Sequence, residues 1–129
     1  KSEGGKKIAA GRVHGYQVAI DANKPDRMWV GGIYDEGRRG WLFPGKLGGD
    51  ANAFTEQGKK RYKPGGWNKV RIEAKGDHSV TYLNGEKRAD FKGDLTPSGF
   101  IGLQVHGVGK KTEPEYVRWR NIRLQDLSK

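Results

Sequence analysis

The chain has no cysteine, one methionine, five prolines and three histidines in 129 residues. Without cysteine there is no disulfide framework, no thiolate metal site and no cysteine nucleophile, so the compartment cannot be read from thiols. Uninterrupted apolar runs reach only a few residues, far short of the ~20 that a membrane-spanning helix needs. Lys1 to Lys7 is polar where a signal peptide would carry an apolar stretch. The sequence therefore predicts no membrane span and no leader within this chain. Large aliphatic residues are also scarce: Leu, Ile, Val and Phe make up about 19% of the residues, the lean edge for a chain that must bury a core.

Acids are in deficit as well, with 15 Asp plus Glu against 25 Lys plus Arg and a formal charge of +10. Such an excess invites a nucleic-acid reading. Its distribution argues otherwise. Basic residues fall in pairs and triplets at turns (Arg38-Arg39, Lys59-Lys60-Arg61, Lys110-Lys111) beside glycine or an acid, and no ribonucleoprotein aromatic motif or Cys/His finger spacing is present. A solvated basic surface accounts for scattered charge, so nucleic acid is not expected as the main partner.

What the sequence has in plenty is glycine, 21 residues, more than double the ordinary ~7%, spread among residues that alternate with period two and not gathered into Gly/Ser linkers. That alternation is an all-β pattern. Tyr16, Val18 and Ile20 share one strand face, with Gln17, Ala19 and Asp21 on the other, until Asn23 to Asp26 forms a turn. Met28 to Tyr34 reads as the next strand. From Arg38 to Gly66 the pattern lapses into a Gly/Pro-rich excursion, in which Asp50 can cap a short helix from Ala51 to Gln57. Trp67 to Lys75 alternates again. Asn84-Gly85 between two β runs predicts a type I′ hairpin, because both central residues of that turn need positive φ. Ile101, Leu103 and Val105 alternate with Gly102, Gln104 and His106, and a change of phase within Tyr116 to Leu124 predicts a bulge near Arg120-Asn121. Over the whole chain, 1–129, these short strands fit two antiparallel sheets packed face to face as a jelly-roll-like β-sandwich, or one strongly curved sheet.

The same alternation groups polar residues. Gln17 and Asp21 share a non-core face, as do Gln104 and His106, with Arg118 and Arg120 on the last strand. Amide, carboxylate, imidazole and guanidinium groups suit the hydroxyls of a sugar, although the solvated face of an ordinary sheet looks the same. Residues 34–41 pack Tyr34, Asp35, Glu36, Arg38, Arg39 and Trp41 into eight positions, either as a pocket lining or as a turn with internal salt bridges. Imidazole titrates near neutrality and serves as acid, base or metal ligand, which singles out His106; His14 and His78 read as exposed loop residues. Glycoside chemistry asks for two carboxylates about the scissile bond, with Asp21, Asp35 and Glu36 as candidates. A divalent metal ion held by oxygen ligands and one imidazole is chemically admissible, though no H-E-x-x-H spacing is present.

Several ordered segments resemble the 3-keto-disaccharide hydrolase domain family: Gly-Tyr-Gln-Val-Ala-Ile-Asp (15 to 21), Gly-Gly-Ile-Tyr-Asp-Glu-Gly-Arg-Arg-Gly-Trp-Leu (31 to 42), Gly-Gly-Trp-Asn-Lys-Val-Arg-Ile-Glu-Ala (65 to 74), Leu-Asn-Gly (83 to 85), Gly-Phe-Ile-Gly-Leu-Gln-Val-His-Gly (99 to 107) and Val-Arg-Trp-Arg-Asn-Ile-Arg-Leu (117 to 124). The resemblance implies a concanavalin-like sandwich, export in bacteria to the periplasm or beyond, and cleavage of glycosides oxidised at sugar carbon 3, by hydrolysis or by elimination across carbons 1 and 2. It implies a carbohydrate partner, with His106, Asp21 and Glu36 as catalytic groups and Gln17, Tyr34, Asp35, Arg38, Arg39, Trp41, Gln104 and Arg120 as substrate contacts. A non-catalytic carbohydrate-binding module on the same sandwich is the alternative, and a basic nucleic-acid binder the second. Two departures from the family pattern stand out. Ala19 occupies a position where the pattern often has glutamate, which fits natural loss, a substitution, or a role for Glu36 instead. The chain also starts just ahead of Gly15, whereas the pattern has strands before that point, so completion by another chain or a homo-oligomer is expected.

Overall fold

A computed structural model describes residues 2–3, 6–22, 24–93 and 95–128. The chain divides into two compact units, Lys1–Pro97 and Ser98–Lys129. In the first, β1 (Ser2–Glu3) pairs antiparallel with β2 (Lys6–Lys7). Next, β3 (Gly15–Val18), β4 (Ile33–Glu36) and β5 (Gly40–Phe43) form a sheet in that order. A second sheet runs β6 (Val70–Lys75), β7 (His78–Leu83) and β8 (Glu86–Lys92), again antiparallel throughout. Between the sheets in sequence lies α1 (Ala51–Arg61). Among the described residues no helix is long and apolar enough to cross a membrane.

Period-two alternation dictates how the sheets meet. Ile33 on β4 and Leu42 on β5 pack with Ala89 and Phe91 on β8, and Tyr16, Val18 and Phe43 close around them. Two antiparallel sheets sharing one core make a β-sandwich, the class expected from the sequence. Each fully buried Ile, Leu or Phe contributes about 1.5–3 kcal/mol, so a core this small depends on its polar ties. One is at the Asn84-Gly85 turn, where φ values of 49° and 87° are those a type I′ turn requires. The Asn84 side chain accepts from the Lys69 N–H at 2.8 Å and donates to the Arg61 carbonyl at 2.7 Å, tying the hairpin to the end of α1.

Asp50 caps α1 as predicted, accepting from the Ala53 N–H at 2.8 Å, and Lys59, Lys60 and Arg61 in the last turn suit the negative end of the helix dipole. The helix extends four residues past the predicted end at Gln57. It continues through Gly58, a poor helix former, because a β-carbon there would lie 2.6 Å from the Met28 carbonyl and from an Arg88 nitrogen. Packing, not propensity, chooses glycine at this point.

Other elements differ from the sequence reading. The strand expected over Met28 to Tyr34 is a loop as far as Gly32 and enters the ladder only at Ile33. The excursion after Arg38 conceals β5, whose Trp41 pairs with Tyr34 across a register shift. The strand expected from Trp67 begins at Val70, and His78 opens β7 instead of sitting in the turn before it. Asn23 lies outside the described residues; the rest of its predicted turn is seen in the Lys24–Arg27 bridge.

The second unit carries the largest departure, since no strand occurs among its described residues despite the alternation over Ile101 to Val105 and Tyr116 to Leu124. Alternation marks a face that suits burial, but a strand exists only where a neighbour takes its N–H and C=O groups. Here Ile101 is 77% exposed and Leu124 81%. The bulge expected near Arg120-Asn121 is not formed either, since among the described residues there is no paired strand for it to interrupt; Asn121 sits at φ 54°.

Candidate functional site

Register across the first sheet sets Gln17 opposite Tyr34, and Tyr34 opposite Trp41. These three alternate with the core residues Val18 and Ile33, so they form a row on the sheet face turned away from the core. The Tyr34 and Trp41 rings meet edge to face at 5.2 Å, and Trp29 extends the row, 4.6 Å from Trp41 at 83°. Gly32 lies beneath: a β-carbon there would stand 3.1 Å from the Trp41 ring and 3.0 Å from the Trp29 carbonyl. The glycine lets the indole lie close to the sheet.

A carboxylate paired with an arginine stands at each end of this row. Beyond Trp29, Arg27 pairs with Asp21 and lies over both indoles, 5.0 Å from the Trp29 ring and 5.6 Å from that of Trp41. The buried Nε of Arg27 has no hydrogen-bond partner among the described residues. At the other end, Glu36 follows Tyr34 on the same face and pairs with Arg12 from the segment before β3. Ala19, between Gln17 and Asp21, is buried, with its backbone bonded to Gly31 and Gly32.

The opposite face of β4 carries a different cluster. Asp35 is 0% exposed; its Oδ1 accepts from Arg38 Nε at 2.7 Å and its Oδ2 from Arg39 Nε at 2.6 Å. Arg38, also buried, donates to Thr96 Oγ1 at 2.5 Å, and both guanidinium groups lie against the Tyr16 ring. The Tyr16 hydroxyl accepts from the Leu95 N–H at 3.0 Å. Residues 34–40 with Arg12 line a shallow cavity of about 310 Å³. The segment singled out in the sequence is thus both a pocket wall and a turn braced by its own ion pairs. Asp35 and Arg38 brace it from inside, while Tyr34, Glu36 and Arg39 reach its surface.

Gln104, His106 and Arg120 all lie in the second unit and are exposed, with His106 Nδ1 bonded to the Gly107 carbonyl at 2.8 Å. His14 Nδ1 bonds the Arg12 carbonyl, and His78 pairs with Asp90 on β8. Among the described residues, no three His, Asp or Glu side chains come together as a metal-holding group. The sequence reading missed Arg12, Arg27 and Trp29. Arg27 and Trp29 alternate with Met28 at the start of an expected strand, and that spacing was the available sign that both project from one side.

Aromatic rings for the apolar face of a pyranose, an amide for its hydroxyls and carboxylates at either end make a face suited to sugars. The first unit is an antiparallel β-sandwich that carries an aromatic row bounded by two carboxylate–arginine pairs. Its family follows from the sequence itself. Residues 3–125 match the family described as a 3-keto-alpha-glucoside-1,2-lyase-like domain, and the chain belongs to that carbohydrate-related family. No curated protein matches the chain.

Proposed function

We propose that this chain cleaves the glycosidic bond of 3-keto-glycosides by elimination across carbons 1 and 2, with later addition of water giving net hydrolysis. The observation that carries the reading is the Gln17–Tyr34–Trp41 row, ended by Glu36 and Asp21, in a chain of this family. A ketone at carbon 3 acidifies the hydrogen at carbon 2. A base takes that proton, the electron pair moves into the enolate, and the enolate then expels the aglycone from carbon 1, leaving a double bond between carbons 1 and 2. The protonated base returns its proton to the departing oxygen. An arginine beside the enolate oxygen stabilises the developing charge, and Arg12, half-exposed next to Glu36, is the candidate in the first unit. Glu36, Asp21 and, in the second unit, His106 are the groups able to take the proton. The family's association with exported bacterial proteins supports action in the periplasm or outside the cell.

The test is incubation of a 3-keto-glucoside in deuterated buffer, followed by NMR, with the wild type and Glu36→Gln, Asp21→Asn and His106→Ala. The base is the group whose loss stops deuterium entry at carbon 2 together with aglycone release. A wild type that shows neither event sinks the enzymatic reading. A second reading, a non-catalytic saccharide-binding module, is favoured by the arginine partners of both carboxylates and by alanine at position 19. Saccharide binding without turnover, with and without added divalent metal, would establish it.

A further inference from the structure

Trp29 is held on every polar side. Its N–H donates to the Asp21 carbonyl at 2.8 Å, and its carbonyl accepts from the Gly32 N–H at 2.9 Å. Its indole Nε1–H donates to Thr55 Oγ1 at 2.9 Å. Thr55 is buried on α1, which is itself clamped to the chain on either side of Trp29. From β8, the buried Arg88 guanidinium donates to the Met28 carbonyl at 2.8 Å, the Val30 carbonyl at 3.0 Å and the Phe54 carbonyl of α1 at 2.7 Å. At Gly58 the helix backbone comes so close that no side chain fits.

Apolar packing alone would seat a short helix on a sheet, but it would leave the indole's rotation unspecified. A buried threonine bonded to the ring N–H fixes that rotation, because the bond is directional. We propose that α1 is the positioning element of the aromatic row: Thr55 orients the Trp29 indole so that Trp29, Trp41 and Arg27 together seat a sugar ring. The second half of this proposal rests on the saccharide reading above. Thr55 is a positioning residue and does not touch the substrate.

Two indoles 4.6 Å apart and nearly perpendicular couple their strong electronic transitions and give a paired exciton band in circular dichroism, with or without ligand. Trp29→Phe identifies the band by removing it. Thr55→Val keeps the shape of the side chain and removes the acceptor; it should weaken the band and raise KM for methyl 3-keto-glucoside by about threefold to tenfold, the worth of one hydrogen bond, with kcat nearly unchanged. Thr55→Ser should restore both. An unchanged band in Thr55→Val overturns the positioning role, whatever the substrate. A weakened band with an unchanged KM overturns the sugar seat. If the wild type neither binds nor turns over the ketoglucoside, the saccharide reading fails and takes the sugar seat with it, while the band still decides whether Thr55 orients Trp29. Should Thr55→Val not fold, Arg88→Lys, which loosens the clamp from the other side, must weaken the same band.

Discussion

The β7–β8 hairpin and the segment from Ile101 to Leu124 carry the same period-two alternation, and only the first is a pair of strands. The hairpin has a turn that brings its halves into register, a partner strand on β6, and a facing sheet that covers Ala89 and Phe91. The later segment has the pattern, and its side chains, apart from the half-buried Trp119, are exposed. Binary patterning states which side of a strand can be buried; pairing and cover decide whether the strand forms.

This contrast can be broken in four places. Phe91→Ala should cost about 3–5 kcal/mol in urea unfolding, and Ile101→Ala about 0.5 kcal/mol or less; equal costs would mean that the later segment is buried in the working protein. Arg88→Met should cost about 3 kcal/mol, because it strips donors from buried carbonyls, whereas the exposed Arg118→Met should be neutral. Burial already pushes the Arg88 pKa down to about 10, so the cation it buries at neutral pH is held by those carbonyls. Gly85→Ala, at φ 87°, should cost about 1–2 kcal/mol, with Gly102→Ala close to zero.

The smallest effect is in acid. Hydrogen bonds from His78 and then Lys87 hold the Asp90 carboxyl below the ordinary carboxylate range. Its contribution to stability is therefore present above the unfolded Asp pKa of about 3.9 and is lost as pH falls through the lower folded value. Asp90→Asn should flatten that part of the acid unfolding curve. Asp126 in the second unit is held low by the hydroxyl and N–H of Ser128, two residues on. A contact so local needs no hairpin, and Asp126→Asn should leave the curve unchanged.

The parts of the fold legible in the sequence were those fixed by neighbours along the chain. The Asn84-Gly85 turn, the Asp50 cap and the alternation in β3, β7 and β8 are of that kind. β5 was not legible, because its Gly40, Trp41 and Phe43 sit among turn residues and pair only through a register shift with β4. In the site, Gln17, Tyr34 and Trp41 were all singled out, but their alignment in one row follows from cross-strand register. Asp35 shows the opposite limit. An acid between Tyr34 and Glu36 looks as available as either, and only the sandwich reveals that it faces inward to two arginines.

Gly58 has a consequence for how the chain tolerates length changes. A helix whose backbone must meet Met28 at one residue is indexed: only one angular setting brings Gly58 to the contact and Thr55 to the indole three residues earlier. Each inserted residue turns a helix by about 100°. One residue added between Thr55 and Gly58 would therefore present a side chain to the Met28 carbonyl or swing the threonine off the ring, while one added ahead of the Asp50 cap leaves the spacing of Thr55 and Gly58 unchanged. Natural and engineered insertions should accumulate on the near side of that cap and stop at it.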